Sequence, residues 1–468
     1  MHIDLVIVGA GPAGLAAARL AAEAGIKAVV LDEQAQPGGQ IYRNVTKATP
    51  RQHQILGPEF GKGRALADGL SHPNLTHLPG AVVWSVSAPP TGDVAVTFSQ
   101  QGVARTLSAR RLLLATGATE RPMPLPGWTL PGVMTAGAAQ ILIKQSGLVP
   151  QGAVLAGSGP LLYLVAAQML RAGSPPLALV ETQSAGDRLR ALRHLPRAAL
   201  GASYLLKGLG LLAELRRGGV ARYRGATRLT IEGEEAAQAL SFTHRGKAHR
   251  IDCTMVLLHH GVIPNTQASR LLGLDHMWHS AQHCFAPVTD AWGRSSRGAV
   301  FVAGDGGGIG GAQTAALSGQ IAALEIAHDL GAVPTASRDL MARNLRARRS
   351  LDLAARPFLD AAFPPYPTAL LPDDQTIICR CEEVSAGDIR RSAALGCRGP
   401  AQLKTFTRAG MGPCQGRNCA ATLTHLLADH HQTVPETVGS LRIRPPLKPV
   451  TLGELASLAP LPAAPGAD

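Results

Sequence analysis

The chain has 468 residues, which is too long for one compact core and predicts two or three domains. Hydrophobic residues make up 46% and charged residues 16%, with 52 glycines, so the composition excludes a disordered or fibrous protein and suits a turn-rich α/β enzyme. The net charge of +13 is spread along the chain and aromatic residues make up only 4%, so we expect no nucleic-acid partner.

The N-terminal segment has the pattern of a dinucleotide-binding βαβ unit. An apolar strand over 4–8 precedes Gly9-Ala10-Gly11-Pro12-Ala13-Gly14, and a helix follows. In this context the three glycines permit a tight turn, the approach of a pyrophosphate and close packing of helix on strand. A second strand ends at an acid that can bind an adenosine ribose hydroxyl. The predicted nucleotide residues are Gly9, Gly11, Pro12, Ala13, Gly14, Asp32 and its neighbour Glu33.

Three later segments favour FAD over NAD at this site. A glycine turn over 37–40 lies just beyond the acid, one apolar strand ends at 115–117, and another ends at 304–305. In this order the segments resemble the two-dinucleotide-fold flavoproteins of the glutathione reductase and thioredoxin reductase superfamily. The resemblance implies that Asp305 contacts the flavin ribityl chain. The predicted FAD residues therefore also include Gly39, Gln40, Ala115, Thr116, Gly117, Gly304 and Asp305.

A second βαβ pattern lies over 152–181, with one change from the first. The turn keeps Gly157 and Gly159 but has Leu162 at the third glycine position, where a bulky side chain disturbs the packing of helix on strand. The unit is therefore either a structural domain or the site of a second nucleotide. Glu181 ends its second strand and would repel a 2′-phosphate, so NAD or another adenine nucleotide is favoured there over NADP.

Four of the seven cysteines have the spacing of an iron–sulfur ligand set. Cys379 and Cys381 form C-x-C, and Cys414 and Cys419 form C-x4-C further along the chain. Four thiolates ligate [2Fe–2S] and [4Fe–4S] clusters. Structural zinc sites instead usually have two ligand pairs, each with two to four residues between its members, and a C-x-C pair is unusual for them. We therefore favour an iron–sulfur cluster over zinc, although the spacing alone does not choose between the two cluster types. No cysteine precedes Cys253, so the redox pair of disulfide reductases is absent.

The segments 379–384 and 409–417 resemble the bacterioferritin-associated-ferredoxin-like domain, a small helical [2Fe–2S] binder. The whole order of segments resembles the flavin subunits of amine-oxidising dehydrogenase complexes, which include the A-type subunit of opine oxidase, the B-type subunit of hydrogen cyanide synthase and the alpha subunit of dye-linked proline or hydroxyproline dehydrogenase. We expect an α/β fold with two glutathione-reductase-like dinucleotide-binding folds plus a small helical iron–sulfur domain. The predicted boundaries are 1–145 and 266–335 for the FAD domain, 146–265 for the second dinucleotide-binding-like domain, 336–373 for a linker, 374–428 for the [2Fe–2S] domain and 429–468 for a Pro-rich tail.

This resemblance implies an FAD and iron–sulfur subunit of a multi-subunit amine or amino-acid dehydrogenase. A D-amino-acid-oxidase-like FAD subunit would oxidise an opine, proline, hydroxyproline or glycine, and this chain would relay the electrons to an acceptor. A small [2Fe–2S] subunit completes some complexes of this kind. The alternative is a self-contained NAD(P)H-dependent flavin and iron–sulfur reductase, against which Leu162 argues. No catalytic acid or base is identified, and the adjacent pairs His259-His260 and His430-His431 are interpreted as solvated or structural.

A cytoplasmic location is expected, because no export signal precedes the first strand and thiolate ligands survive in a reducing compartment. The uncharged stretch 145–170 contains Pro150, Pro160 and several glycines, and we do not expect it to cross a membrane. Peripheral association with a membrane stays open.

Overall fold

The computed structural model describes residues 3–458. Its strands are β1 (Ile3–Val8), β2 (Ala28–Asp32), β3 (Leu75–Pro79), β4 (Val82–Ser87), β5 (Val94–Gln100), β6 (Val103–Leu114), β7 (Ala118–Glu120), β8 (Val133–Thr135), β9 (Ala153–Gly157), β10 (Ala178–Glu181), β11 (Ala221–Arg224), β12 (Thr227–Glu232), β13 (Ala239–His244), β14 (Lys247–Asp252), β15 (Met255–His259), β16 (Val262–Pro264), β17 (His276–His279), β18 (Cys284–Pro287), β19 (Val300–Val302), β20 (Ile377–Cys379) and β21 (Val384–Ser385).

The helices connect these strands and form most of the last third of the described chain. They are α1 (Pro12–Glu23), α2 (Pro50–Leu56), α3 (Pro58–Gly61), α4 (Gly63–Ala67), α5 (Ala136–Ser146), α6 (Pro160–Arg171), α7 (Ala185–Leu192), α8 (Leu195–Ala198), α9 (Ala202–Arg217), α10 (Gln267–Leu271), α11 (Ala312–Asp329), α12 (Thr335–Asp352), α13 (Arg356–Ala362), α14 (Pro367–Leu370), α15 (Ala386–Ala394), α16 (Pro400–Thr407), α17 (Ala420–His430), α18 (Pro435–Val438) and α19 (Leu452–Ala456). Within residues 3–458, four short 3₁₀ turns lie at Asp68–Leu70, Ala199–Gly201, Gly304–Gly307 and Leu353–Ala355.

One long strand, β6, joins the two parts of the larger sheet. The sheet has the order β3-β2-β1-β6-β5-β4, and β19 pairs with β6 as well. The C-terminal half of β6 lies parallel to β1 and β19, while its N-terminal half lies antiparallel to β5. Because β19 comes from much later in the chain, the second dinucleotide-binding unit is inserted between two strands of the first. The carboxyl ends of β1, β6 and β19 therefore meet at one edge of the sheet.

The second sheet is parallel throughout, with the order β11-β10-β9-β15-β8. The antiparallel pair β7 and β16 connects it to the first sheet, and β12, β13 and β14 form a separate antiparallel sheet. Each of these two larger sheets carries a glycine turn after a central strand, β1 in the first and β9 in the second. The predicted α/β fold with two dinucleotide-binding units is confirmed.

Two alanine-rich helices, α1 and α11, cover one face of the larger sheet. Small residues allow them to approach closely, since a Cβ atom on Gly319 would lie 2.0 Å from the Ala13 carbonyl oxygen. Leu15, Ala322 and Ile326 belong to the same buried cluster as Leu5 and Ile7 of β1. This packing sets the position of α1, whose first turn follows Gly11.

The C-terminal part of the described chain packs back onto the first sheet. The segment expected to be a linker, 336–373, contains α12, α13 and α14. In the segment expected to be a Pro-rich tail, Leu441, Ile443 and Leu447 are buried in one cluster with β6 and the cysteine segment. The predicted domain boundaries stay predictions. The uncharged stretch 145–170 forms part of α5, β9 and most of α6, which belong to the core of the second unit.

Candidate functional site

The ends of three parallel strands bring together glycine segments that lie far apart in the sequence. The Ala115 amide donates to the Val8 carbonyl at 2.9 Å, and the Ala303 amide donates to the Leu114 carbonyl at 3.0 Å. A Cβ atom on Gly9 would lie 2.4 Å from the Ala115 carbonyl oxygen, so the turn after β1 lies directly against the end of β6. The predicted FAD segments at Gly9, Ala115 and Gly304 are therefore neighbours.

The glycines of the first turn have different surroundings. A Cβ atom on Gly14 would lie 1.9 Å from the Gly9 carbonyl oxygen, whereas a Cβ atom on Gly11 would have only the Gly39 Cα atom near it, at 3.7 Å. The Gly38 amide donates to the Ala10 carbonyl at 2.8 Å, which holds the 37–40 turn beside the first one. The open space at Gly11, in front of the N-terminus of α1, fits the phosphates of a dinucleotide.

The two acids at the end of β2 have separate partners. The Ala10 amide donates to Asp32 Oδ2 at 2.5 Å and the Gln34 amide donates to Asp32 Oδ1 at 2.7 Å, so this buried carboxylate shapes the glycine turn. Glu33 forms an ion pair with Lys448 from the C-terminal segment. Both acids lie where the adenosine end of a dinucleotide is expected, and their roles toward a ribose stay predictions.

The residues predicted at the flavin end form a connected set of turns. The Thr116 hydroxyl donates to the Asn265 carbonyl at 3.0 Å, and the Asn265 amide donates to the Gly117 carbonyl at 2.9 Å. Asp305 Oδ1 accepts from the amides of Gly310 and Gly311 at 2.9 and 3.0 Å, immediately before α11. The second carboxylate oxygen of Asp305 has no protein donor among the described residues. It is thus available to a ligand hydroxyl.

Sequence reasoning missed a buried lysine at this site. Lys144 donates to the Gln40 carbonyl at 3.0 Å and to Gln140 Oε1 at 2.8 Å, and it has no carboxylate partner within the part of the chain described. Burial, reinforced by the charge of Arg43, lowers the pKa of Lys144 to about 7. A signal was available, because Lys144 is the only charged residue between Arg121 and Arg171.

Arg43 is a second buried cation, close enough to Lys144 for its charge to affect that residue. Burial lowers its pKa, while the charge of Asp32 opposes that shift. Its Nε atom has no hydrogen-bond partner among the described residues. An unpartnered buried guanidinium near the glycine turn suits an anionic ligand such as a pyrophosphate.

The second glycine turn is covered by a histidine. A Cβ atom on Gly159 would lie 2.7 Å from His259 Cδ2 and Nε2, so the imidazole lies against the turn where a pyrophosphate would approach. His259 Nδ1 lies 2.5 Å from Glu120 Oε1, and the Gly137 amide donates to Glu120 Oε2 at 2.8 Å. This arrangement fixes the ring in place. No local sequence pattern indicates it, because it depends on β15 pairing with β9.

Glu181 is fully buried and bound by neighbouring side chains. Arg222 Nη2 donates to both of its oxygens, at 2.8 and 3.1 Å, and Tyr163 contacts it as well. Burial and this carboxylate raise the pKa of the Tyr163 phenol. A ribose would have to replace these contacts. The predicted nucleotide residues Gly157, Gly159 and Glu181 thus lie together, but their open surface is occupied by His259 and Arg222.

The four cysteines predicted as cluster ligands lie together in two pairs. Cys379 faces Cys419, and Cys381 faces Cys414. The contact with Cys419, together with the backbone amides of three nearby residues, lowers the pKa of the Cys379 thiol to about 6. A Cβ atom on Gly412 would lie 2.2 Å from Cys381 Cβ, so only glycine fits beside this cysteine. Cys397 lies apart, with its thiol donating to the Gly399 carbonyl.

Basic residues accompany the cysteines. Burial lowers the pKa of Arg417, and the nearby thiols of Cys414 and Cys381 oppose that shift. Within residues 3–458 no group of three or more histidine, cysteine, aspartate or glutamate side chains has the arrangement of a site for a metal ion. Thiols with amide donors and a nearby cation are nevertheless the chemical type of donor that binds iron–sulfur clusters. The cluster itself stays a prediction.

The cysteine segment contacts the flavin end of the first site. Gln267 Nε2 donates to the Gln415 carbonyl at 3.2 Å, and Gln267 lies two residues beyond Asn265, which holds Thr116 and Gly117. On another side, Trp128 Nε1 donates to the Ile377 carbonyl at 2.7 Å. The loop between the last two cysteines is therefore one side chain away from the turn at the end of β6.

Comparisons with known proteins agree with this architecture. Residues 3–319 match the family model described as "Pyridine nucleotide-disulphide oxidoreductase", and residues 373–458 match the one described as "Sarcosine oxidase A3 domain". The structure also resembles L-proline dehydrogenase from P. horikoshii, with a TM-score of 0.71 and 18% identity over 98% of this chain and 80% of that one. Fold and site thus define a flavoprotein oxidoreductase of the pyridine nucleotide-disulphide class.

Two relatives identify a narrower family within this class. The A-type subunit of opine oxidase from Agrobacterium tumefaciens (strain Ach5) is 45% identical over 97% of this chain and 92% of its own length. Hydrogen cyanide synthase subunit HcnB of Pseudomonas protegens is 33% identical over 96% and 97%. The chain belongs to the family that includes HcnB and the A-type subunit of opine oxidase. Both relatives are named as subunits.

Proposed function

We propose that this chain is the FAD and [2Fe–2S] subunit of a multi-subunit amine or amino-acid dehydrogenase that acts on CH–NH or CH–NH2 donors. It relays electrons from a D-amino-acid-oxidase-like partner, which oxidises an opine, proline, hydroxyproline or glycine, to an acceptor. The names of the relatives support the enzyme class, and the 45% identity to the opine oxidase relative favours an opine. A small [2Fe–2S] subunit is a further candidate partner, and the cytoplasm is the expected location.

One observation carries this proposal: the loop bearing Cys414 and Cys419 is one side chain away from the turn where the flavin is expected. Gln267 bridges the two, because its side chain bonds to Gln415 while its own segment holds Thr116 and Gly117. When bound, a flavin accepts electrons in pairs and a [2Fe–2S] cluster carries them singly. Neighbouring sites for the two groups are therefore suited to dividing an electron pair.

The residues of the chain have distinct roles in this proposal. The amides of the first glycine turn and of α1, with Arg43, hold the pyrophosphate, and Asp305 binds the ribityl chain. Lys144 places a titrating ammonium beside Gln40, where it can stabilise negative charge on a reduced ring system. Cys379, Cys381, Cys414 and Cys419 ligate the cluster.

The second unit has one of two roles in this proposal. It is either a structural domain or a site for NAD or another adenine nucleotide that does not supply electrons. His259 lies on Gly159, and Glu181 is held by Arg222 and Tyr163, so both contacts that a pyrophosphate and ribose require are occupied. These contacts weigh against the alternative of a self-contained NAD(P)H reductase. Rapid bleaching of the flavin by NADH or NADPH in the isolated chain would favour that alternative instead.

The test compares two cysteine variants of the full chain purified without oxygen. Cys414→Ser removes a proposed ligand, and we expect it to retain flavin but to lose acid-labile sulfide, iron and the electron paramagnetic resonance signal of the dithionite-reduced cluster. Cys397→Ser is the matched control, because the thiol of this buried cysteine donates to the Gly399 carbonyl and lies apart from the other four. This variant should keep the iron and sulfide content of the wild type.

Electron relay is tested with the same proteins and the D-amino-acid-oxidase-like subunit. Addition of an opine should reduce flavin and cluster in the wild type, whereas Cys414→Ser should show flavin reduction with slow transfer to a one-electron dye. Absence of iron and sulfide from the anaerobic wild-type protein would contradict the proposal. So would equal dye reduction by the two variants.

A further inference from the structure

A strongly exposed leucine face lies on helix α9, at the edge of the second unit. The segment Leu195–Arg217, which includes α8, a 3₁₀ turn and α9, is long and apolar enough to cross a membrane by length and composition, with a mean hydropathy of 1.3 and only 17% of its apolar window buried. A core helix of this composition would be mostly buried. The exposed apolar side chains therefore require another explanation.

The exposed residues follow the period of the helix. Ala202, Leu206, Leu209 and Ala213 recur at intervals of four, three and four residues and are all exposed, with Leu206 at 66% and Leu209 at 63%. Leu200 precedes them at 65%. This stripe, from Leu200 to Ala213, is named the α9 face. Apolar residues at such intervals form one side of a helix.

The opposite side of α9 anchors the helix to the protein. Leu211 and Leu215 are buried in the core of the second unit, and the Tyr204 hydroxyl donates to Asp352 Oδ1 at 2.7 Å. Arg171 binds Glu214 at 2.6 Å. Crossing a bilayer would break these contacts, so α9 is suited to lie on a surface rather than to span it.

The charges around the α9 face are almost all positive. Residues 185–217 contain seven basic side chains and two acidic ones, and both acids are neutralised, Asp187 by Arg190 and Glu214 by Arg171. Five arginines of this segment have no carboxylate within ion-pair distance in residues 3–458: Arg188, Arg193, Arg197, Arg216 and Arg217. The surface thus combines exposed leucines with an excess of free positive charge.

We propose that the α9 face docks on the surface of an anionic phospholipid bilayer. Interfacial helices have this composition, with apolar residues that enter the headgroup boundary and arginines that meet lipid phosphates. A protein partner fits less well, because the centres of protein interfaces are enriched in aromatic residues and poor in unpaired charge, and the exposed apolar residues here are leucine and alanine. The proposal does not depend on the assigned donor or on the iron–sulfur cluster.

The experiment measures sedimentation of the flavin-loaded full chain with vesicles. We expect binding to vesicles of phosphatidylcholine with phosphatidylglycerol, little binding to phosphatidylcholine alone, and weaker binding as salt is raised. The double variant Leu206→Glu with Leu209→Glu should lose at least about tenfold in affinity, since two leucines that enter the bilayer are replaced by anions. Arg216→Glu with Arg217→Glu should lose affinity mainly at low salt.

The matched control is Leu395→Glu with Leu452→Glu, because these leucines are 75% and 84% exposed outside the α9 face. It should bind like the wild type. Failure of the wild type to bind anionic vesicles, or equal binding by the α9 variant and the control, would overturn the proposal. If the α9 variant loses self-association or its affinity for the partner subunit when no lipid is present, the face is assigned to a protein instead.

Discussion

Gly11 and Gly14 belong to the same turn but have different physical constraints. A Cβ atom on Gly14 would lie 1.9 Å from a backbone oxygen, so Gly14→Ala forces α1 away from β1 and should lower the free energy of unfolding by about 1–3 kcal/mol. A Cβ atom on Gly11 has open space, so Gly11→Ala should fold normally but lose flavin, since the methyl group occupies the expected path of the pyrophosphate. Circular dichroism melting and flavin absorbance per chain check both.

One result for each variant would contradict these expectations. Full flavin content in Gly11→Ala would show that the dinucleotide does not bind at this turn. Unchanged melting of Gly14→Ala would mean that the close packing of α1 on β1 is not required for stability.

Lys144 predicts a specific pH dependence. Its pKa in the folded chain is about 7, against an ordinary value of 10.5, so between these two values the unfolded chain binds a proton that the folded chain does not. The free energy of unfolding should therefore increase as the pH rises from about 7 toward 10.5, and it should decrease again as the pH falls toward 7. In Lys144→Met this rise should disappear, a change on the order of a few kcal/mol.

The measurement is the urea midpoint of unfolding, by tryptophan fluorescence, at several pH values between about 7 and 10, the span of the expected change. The wild-type midpoint should climb more steeply than that of Lys144→Met. A difference between the two proteins that does not vary with pH would show that Lys144 keeps an ordinary pKa.

At the scale of single residues, the sequence is informative where the constraint is local. Gly9, Gly14 and Gly39 are recognisable because a tight turn leaves no room for a side chain. The interpretation of His259 as solvated or structural does not predict its position over Gly159, since that position follows from β15 lying beside β9. The lone charge of Lys144 in an apolar stretch is a usable signal, although it belongs to no recognised motif.

The neighbouring strands β10 and β11 place Arg222 beside Glu181 and thereby neutralise a fully buried carboxylate. Arg222→Met leaves that charge without its cation, and we expect a loss of about 3–5 kcal/mol in the free energy of unfolding. Adding Glu181→Gln should recover part of the loss, because the uncompensated charge is removed. Chemical denaturation of the wild type, both single variants and the double variant measures the coupling.

Additive effects of the two substitutions would show that Arg222 and Glu181 do not stabilise each other.

At the scale of strands and helices, the sequence predicted the elements next to the glycine turns, because apolar runs bounded by glycine are distinctive. It did not predict that Glu181 would be occupied by Arg222, since the partner lies on a strand whose position depends on the sheet order.

For the whole molecule, the C-terminal segment holds the cysteine segment against the first sheet. Leu441 lies on Gly410 and Gly416, where added Cβ atoms would come within 2.7 and 2.2 Å of its Cδ1 atom. The Leu447 amide donates to the Trp84 carbonyl at 2.7 Å, and Arg417 donates to the Leu447 carbonyl at 2.9 Å. A composition-based expectation of a Pro-rich tail could not reveal these contacts, because they pair residues far apart in the chain.

Leu441→Asp should therefore lower the iron and sulfide content per chain, since a buried charge displaces the loop that carries Cys414 and Cys419. Leu452→Asp is the control, because Leu452 is exposed. Iron analysis of both proteins after anaerobic purification gives the result. Equal iron content would show that the tail does not support the cluster loop.

The insertion of one unit between β6 and β19 has a consequence for synthesis on the ribosome. Strand β19 is translated about 190 residues after β6, so the nascent chain completes every strand of the inserted parallel sheet while the edge of β6 that receives β19 still lacks its neighbour. An open strand edge is a template for wrong pairing. Newly made chains should therefore be most dependent on chaperones in the interval before residue 302 emerges.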